Sequence, residues 1–289
     1  MSTTAADPEQ QRQLYAGLKG LLGPVMGGAI EEIAAAADFE LSNEAAHPFV
    51  EFVHWINARP AFIAQWRADP ISEKRDYPRF MTVTDGARAA YAAVCYHLGR
   101  LTQIEAAVNA VLSRYDFTKQ LPPNSVAAIG RMRQLDFEYH AFVLAYRRCL
   151  DYLAWGLSTY FKERQNSCRR FGKTLASAHP GVVAACLKAV YDRHSQTFKF
   201  VMGNERGKSL RDRISHNEFV QAATINVGAD GHRFVGGGEN LRLPDPTDDR
   251  SLSEILKGRA NDLHTCISDF LTTFRLAVTN FEGNTGNAE

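Results

Sequence analysis

Residues 135–160 read LDFEYHAFVLAYRRCLDYLAWGLSTY, and this stretch decides the fold. Large apolar residues recur in it every three or four positions, the spacing that places side chains on one face of an α-helix. These residues are Leu135, Tyr139, Phe142, Tyr146, Leu150, Leu153, Leu157 and Tyr160. The pattern predicts one long amphipathic helix that buries this face against other helices.

Helical periodicity continues on both sides of that stretch. It predicts further helices over residues 8–22, 24–37, 44–58, 60–68, 84–115, 181–202 and 251–281. Residues 72–80 are polar, charged and proline-bearing, which predicts a loop. Residues 222–227 and 233–235 resemble two strands around a glycine-bearing turn. The sequence therefore predicts an all-α fold, an up-and-down helical bundle with one β-hairpin inserted before the last long helix.

The clearest break in the chain is LPPNS, residues 121–125. A domain boundary and a tight connection between helices both fit it. Taken as a boundary, it separates an N-terminal helical region over 1–120, with no assigned role, from a helical domain over 126–281. The polar, glycine-bearing residues 282–289 are expected to be a disordered tail.

Composition indicates an ordinary globular protein rather than a disordered one. The 289 residues carry a net charge of +1 and 45% hydrophobic residues. The five cysteines show no Cys-x-x-Cys spacing, so most are expected to be buried, reduced thiols. The polar N-terminus lacks the features of a signal peptide, and no apolar window is long enough to span a membrane. These features predict a cytoplasmic protein that does not contact membranes.

Two basic segments stand out in this near-neutral chain. The first, residues 203–219, is a glycine-bearing loop that leads into a short helix with Ser209 as the expected N-cap. Its four cations are Arg206, Lys208, Arg211 and Arg213. The second segment, residues 162–173, carries Lys162, Arg164, Arg169, Arg170 and Lys173. If the two segments fold near one another, they form a local phosphate-binding face.

The run from Arg211 to His216 resembles the signature of the HEPN superfamily, an arginine followed after four to six residues by a histidine. A polar residue often follows the arginine, and Asp212 occupies that position. Two other stretches fit the spacing, Arg133 to His140 and Arg259 to His264, but both lie inside strongly periodic helices. The residues 147–155 are also similar to a helix of a bacterial branch of that superfamily. The resemblance covers roughly residues 131 to 281.

The resemblance implies metal-independent cleavage of RNA, in which the RNA supplies its own nucleophile, the 2′-hydroxyl. His216 is then the general acid or base, and Arg211 holds the scissile phosphate. Products are a 2′,3′-cyclic phosphate and a 5′-hydroxyl. The residues expected to bind RNA are Arg206, Lys208, Arg213, Arg169, Arg170 and Lys173.

Helix geometry constrains this candidate site. Five residues correspond to about 140° of rotation, so Arg211 and His216 do not share a helix face. Asp212 and His216 are four residues apart and do share one, so Asp212 is expected to orient the imidazole. Asp151 and Asn217 are the expected supporting residues.

The family also implies a setting, namely a toxin–antitoxin or antiviral defence system. Expected partners are RNA, an antitoxin protein and a second copy of the chain in a homodimer, whose interface joins two motifs. Neither a cofactor nor a metal is expected. The alternative is a non-catalytic helical module of the same fold that binds RNA, a nucleotide or a partner protein.

Several of these polar residues also have a purely structural explanation. Asp212 and His216 also fit an ordinary pair on a helix surface, and Asp151 fits a structural buried acid. His194 is expected to be a core histidine with its hydrogen bonds satisfied. A metal site formed by His140, His194 and His216 lacks supporting spacing.

Overall fold

The structure of the protein, a computed structural model, describes residues 48–58, 60–68, 76–115, 122, 125–129, 132–163, 165–203, 209–216, 219–228, 231–236 and 251–285, together with Ala29. Within these ranges the chain forms nine α-helices and three β-strands. The predicted all-α fold, with a β-hairpin before the last long helix, is confirmed. The helices predicted over 8–22 and 24–37 lie outside the described residues.

The chain divides into two compact units, Met1–Pro60 and Ala61–Glu289. In the first unit, the described helix is α1, Val50–Asn57, in which Phe52 and Ile56 are buried. The second unit contains every other described element. The break at residues 121–125 lies inside this second unit.

Two helices open the second unit: α2, Ala61–Ala68, and the long α3, Tyr77–Leu112. The loop predicted over 72–80 is wrong from Tyr77 onwards, because α3 begins there. Asp76 caps the helix by accepting a hydrogen bond from the Arg79 backbone N–H at 2.9 Å. Pro78 lies in the first turn, where a backbone N–H has no acceptor within the helix, so proline loses no helical hydrogen bond there. Charge and proline in this stretch therefore mark the start of a helix.

The long amphipathic helix that the sequence predicts is α4, Arg133–Tyr160. It packs antiparallel to α3, since Thr84 lies opposite Gly156 and His97 lies opposite Glu138. A Cβ atom added at Gly156 would lie 3.1 Å from Thr84 Oγ1. Glycine therefore permits the close approach of the two helices at this crossing.

The second half of the basic segment 162–173 belongs to a helix that the sequence did not predict, α5, Cys168–Leu175. Cys168, Phe171, Gly172 and Leu175 are buried. Their spacing of three and four residues defines a narrow apolar face, which is enough to fix a helix against the core. The basic residues Arg169, Arg170 and Lys173 lie on the exposed face.

The single helix predicted over 181–202 is divided into α6, Gly181–His194, and α7, Lys199–Met202. A turn separates them, in which the Thr197 N–H donates to the His194 carbonyl. Arg259 of the last helix donates to the Thr197 carbonyl at 3.3 Å. This tertiary contact binds a carbonyl that the interrupted helix leaves without its usual partner. The next helix is α8, Leu210–His216.

The predicted hairpin is confirmed as β2, Ala223–Gly228, and β3, Gly231–Gly236. An additional strand that the sequence did not predict, β1, Val126–Ile129, pairs antiparallel with β2. The result is a three-stranded antiparallel sheet in the order β1–β2–β3. Leu112 at the end of α3 packs against Ile225 and Val227 of β2. The sheet therefore covers one end of the α3–α4 pair.

The last helix, α9, spans Leu252–Thr285. Its predicted apolar stripe is buried at Leu252, Leu256, Leu263, Ile267, Phe270, Phe274 and Val278. The helix continues past residue 282, where the sequence predicted the start of a disordered tail. Glu282 accepts a hydrogen bond from the buried Tyr160 hydroxyl at 2.8 Å, which holds this last part of the helix. In the part of the chain that is described, no helix is long and apolar enough to cross a membrane.

Three of the five cysteines, Cys149, Cys168 and Cys266, are buried, as the sequence predicts. Burial raises the pKa of each of these thiols well above its usual range. They are therefore protonated and unreactive at neutral pH.

Gly172 provides a test of the packing of α5. A Cβ atom added there would clash with the Tyr191 ring, whereas one added at Gly258 of α9 meets nothing within 4 Å. Both glycines are inside helices, so alanine brings the same gain in helix propensity at each, up to about 1 kcal/mol. Gly258→Ala is expected to raise the free energy of unfolding by that amount. Gly172→Ala is expected to lower it by about 1–3 kcal/mol because of the clash. Urea denaturation of the two variants measures the difference, and equal effects would contradict the packing.

Candidate functional site

An open cleft of about 890 Å³ lies on the exposed face of α4. Its floor is formed by small α4 residues such as Ala141 and Ala145. One wall is α3, which contributes glycine, alanine and His97. The opposite rim includes Asn166 and Arg211. The volume is within the range of small-molecule and cofactor sites, and its apolar floor with a few polar groups on the walls fits such a site.

Arg211, the arginine of the predicted motif, lies in the first turn of α8 and lines this cleft. Its guanidinium Nη1 donates to Asp212 Oδ1 at 3.1 Å, and its side chain is 39% exposed. An exposed arginine paired to one carboxylate retains other N–H groups with which to bind an anion. Arg211 is therefore able to contact a ligand in the cleft without leaving Asp212.

The first turn of α8 is fixed by a reciprocal capping arrangement. Ser209 Oγ accepts a hydrogen bond from the Asp212 backbone N–H at 3.1 Å, which confirms Ser209 as the N-cap. Burial alone would raise the pKa of Asp212, but hydrogen bonds from Ser209 and Arg211 outweigh it and lower the pKa below its usual value. Asp212 is thus ionised at neutral pH and stabilises both the helix start and Arg211.

Asp151 has structural partners. Its two oxygens accept from Arg147 Nε at 2.7 Å and from the Cys168 backbone N–H at 2.8 Å. The second bond caps the first turn of α5. These contacts favour the structural interpretation of Asp151 over a direct contact with Arg211, although both residues line the cleft.

Arg147, which the sequence did not single out, joins the two basic segments. Besides Asp151, it donates through Nη2 to Ser167 Oγ at 3.0 Å and through Nη1 to the Val201 carbonyl at 3.2 Å. Ser167 belongs to the basic segment 162–173, and Val201 lies two residues before the segment 203–219. The middle of the first segment and the residues just before the second are therefore held at one arginine beside the cleft.

The remaining predicted site residues differ in how much of them the structure describes. Arg169, Arg170 and Lys173 are exposed on α5, and Arg213 is half-buried on α8. Arg206, Lys208 and Asn217 lie outside the described residues. For His216 the structure describes the backbone, at the end of α8, and not the side chain.

The chain after α8 follows α4 in the opposite direction. The Phe219 ring lies 4.9 Å from the His140 ring, and the Val220 carbonyl lies 2.7 Å from His140 Nε2. Ala222 donates its N–H to Asp136 Oδ1 at 2.7 Å. Arg211, near Arg147, and Phe219, near His140, thus bracket His216 along α4.

Two further polar side chains of the cleft were not predicted from the sequence. His97 Nδ1 lies 2.7 Å from Glu138 Oε2. The Arg148 guanidinium lies 5.7 Å from the centre of the Tyr152 ring. Arg148 has no acidic partner among the residues that the structure describes. The sequence contained an indication of both residues. Ala93 and His97 share one helix face, and so do Ala141 and Arg148, so each polar residue lies beside a small one that leaves space for a cleft.

The other histidines considered from the sequence have separate structural roles. His194 is 8% exposed and lies 2.8 Å from Asp269 Oδ2, which confirms it as a core histidine with its hydrogen bond satisfied. His140 binds the Val220 carbonyl. His264, in one of the alternative motif matches, binds the Tyr91 hydroxyl at 2.9 Å. Among the described side chains, no three metal-binding residues lie together.

The chain was also compared with protein-family models, with curated proteins and with solved structures, and none of the three comparisons gave a match.

The low pKa of Asp212 predicts a pH-dependent contribution to stability. A lowered folded-state pKa stabilises the protein above the unfolded-state value of about 3.9, and this contribution is lost as the pH falls through the folded-state pKa. Asp212→Asn should therefore have a lower Tm than the wild type at pH 7. The difference should shrink as the pH falls below about 4. Thermal unfolding across this pH range measures it, and a constant difference would contradict the assignment.

The Arg147–Asp151 pair predicts a large coupling energy. Each single alanine variant leaves a half-buried charged partner, which costs about 1–3 kcal/mol of unfolding free energy. In the double variant neither partner remains, so its cost should fall short of the sum by roughly 1–3 kcal/mol. Urea denaturation of the four proteins measures this coupling. Strictly additive costs would show that the pair does not hold the two segments.

Proposed function

We propose that this protein is a HEPN-like, metal-independent endoribonuclease that binds single-stranded RNA in the cleft along α4. The observation that carries the proposal is that Arg211, the arginine of the motif, lines this cleft together with Arg147 and Arg148. A protein with a net charge of +1 thus has three arginines around one cavity, of which Arg147 is bound to Asp151, Ser167 and the Val201 carbonyl, and Arg148 and Arg211 remain to meet a phosphate. Phosphate recognition is the role to which the planar guanidinium is best suited.

The chemistry follows from RNA itself. The 2′-hydroxyl attacks the adjacent phosphorus, the bond to the 5′-oxygen breaks, and a 2′,3′-cyclic phosphate forms. Arg211 stabilises the extra negative charge of the pentacoordinate phosphorus. His216 exchanges a proton with the reacting oxygens, a task suited to a group whose unperturbed pKa lies near neutrality.

Asp212 has a revised role in this proposal. The sequence assigned it to orienting His216, whereas its described partners are Ser209 and Arg211. It therefore positions Arg211 and the first turn of α8. Asp151 acts indirectly, because it holds Arg147 and the start of α5 in place beside the cleft.

The alternative proposal is a non-catalytic module that binds RNA in the same cleft. Two observations favour it: Arg211 is already paired with Asp212, and Asp151 is fully occupied by structural contacts. Binding needs the cations alone, whereas cleavage also needs a proton-transfer group beside the phosphate. Cleavage and binding must therefore be measured separately.

The wider setting stays a prediction from the resemblance. It comprises a toxin–antitoxin or antiviral system, an antitoxin partner and a homodimer with a composite site. Light scattering of the purified protein tests the dimer.

The deciding experiment measures binding and cleavage of end-labelled single-stranded RNA in the presence of EDTA. Arg211→Ala should weaken binding and reduce the slope of log K against log salt by about 0.7, the effect of one lost phosphate contact. It should also reduce cleavage at least 100-fold. His216→Ala should bind RNA like the wild type but cleave it roughly 10²–10⁴-fold more slowly. Arg193→Ala, an exposed arginine on α6 that does not line the cleft, is the control and should change neither.

The products and substrate provide independent checks. Fragments should carry a 2′,3′-cyclic phosphate, and a 2′-deoxy substitution at the cleaved nucleotide should block the reaction. Induced expression in cells should arrest growth and fragment RNA with the wild type, but not with Arg211→Ala or His216→Ala. RNA binding without cleavage would establish the non-catalytic module, and neither binding nor cleavage would overturn both proposals.

A further inference from the structure

A histidine–carboxylate pair lies on the α3 wall of the cleft. His97 Nδ1 is 2.7 Å from Glu138 Oε2, and the His97 side chain is 23% exposed. An ionised carboxylate only accepts hydrogen bonds, so the proton of the neutral imidazole is on Nδ1. Nε2 then carries the lone pair, and it has no partner among the described residues. The pair therefore fixes both the tautomer and the orientation of a ring that lines the cleft.

His97 faces the predicted motif across the floor of α4. Its wall is α3, whereas Arg211, the arginine of the motif, lines the cleft from α8. Glu138 and Arg147 are nine residues apart on α4, a rise of about 14 Å. Extended arginine and histidine side chains, with one ribose phosphate between them, are long enough to fill this distance.

Cleavage by 2′-hydroxyl attack needs two proton transfers, one from the nucleophile and one to the leaving oxygen. A single histidine does not perform both at the same moment, because the two oxygens lie on opposite sides of the phosphorus. A second proton-transfer group is therefore required beside His216. Within the motif, the carboxylate of Asp212 is paired with Ser209 and Arg211, whereas His97 lines the cleft.

We infer that His97, oriented by Glu138, is the general base of the cleft and removes the proton from the 2′-hydroxyl of bound RNA. This inference rests on the proposed function. The 2′-oxygen forms a bond to phosphorus, the bond from phosphorus to the 5′-oxygen breaks, and the leaving oxygen takes a proton from His216. His97 then gives its proton to water and His216 takes one from water, so the cycle closes with no net change in protons, and nothing is oxidised or reduced. Glu138 is a positioning residue, which also stabilises the imidazolium formed in the step.

The charges around His97 come from three elements. Arg100 on α3 lies 3.7 Å from Glu138 Oε1. On α4, Glu138 is the direct partner, and Arg147, Arg148 and Asp151 line the cleft. On α8, Arg211 lines it as well.

The test is the pH dependence of cleavage, with RNA binding measured in parallel. His97→Gln keeps a donor for Glu138 and should fold normally. It should lower the cleavage rate at pH 7 by roughly 10²–10⁴-fold. In a plot of the cleavage rate against pH, it should also remove the limb on which the rate rises with pH. RNA affinity should stay within about threefold of the wild type, because the imidazole acts as a neutral base. Glu138→Gln should move that limb to lower pH, and Glu138→Asp should restore part of the shift.

His194→Gln is the matched control, because His194 has a similar bond to a carboxylate, Asp269, away from the cleft. This variant should lose stability but keep the wild-type pH profile. Cleavage by His97→Gln at the wild-type rate and with the wild-type profile would overturn the inference and leave the proposed nuclease intact. Wild-type protein that binds RNA and never cleaves it would overturn both.

Discussion

The antiparallel packing of α3 on α4 is the contact on which the other elements depend. Gly156 allows the backbones to approach closely at Thr84, and Gly86 leaves room for the Tyr152 ring, to which an added Cβ would come within 3.0 Å. At the other end, His97 and Glu138 join the same two helices. Because small residues line the exposed side of this pair, an open groove remains along α4. The cleft is thus a direct consequence of how these two helices pack.

Buried carboxylates fix the segments that return to this helix pair. Asp136 is fully buried and accepts the Ala222 N–H, and Glu105 is 3% exposed and accepts the Ser253 N–H at 2.7 Å. A buried carboxylate oxygen is costly unless it accepts a hydrogen bond, so each of these two bonds favours the observed arrangement, although the second oxygen of each carboxylate is buried with no hydrogen-bond partner in the described part of the chain. Asp136 therefore sets the path of the chain after α8, and Glu105 sets the start of α9.

Charge in the cleft is distributed unequally among its arginines. Arg147 is held by Asp151 and two oxygen acceptors, so its role is to join segments. Arg211 is paired with Asp212 but partly exposed. Arg148 contacts the Tyr152 ring and has no acidic partner in the described part of the chain. An anion entering the cleft therefore meets Arg148 and Arg211 first, and Arg147 keeps the surrounding backbone in place.

The sequence by itself determined the helical class, the long helices α4 and α9, and the hairpin, because each depends on a periodicity within one segment. It also determined the cap at Ser209, which depends on a neighbour three residues away. Elements whose stability depends on distant contacts were not found this way. The strand β1, with two alanines in four residues, exists because β2 provides its hydrogen-bond partners. The interruption after His194 likewise involves a contact with Arg259. The juxtaposition of His97, Arg148 and Arg211 was decided by the tertiary structure alone, since no local pattern encodes how three separate helices bring their side chains to one cleft.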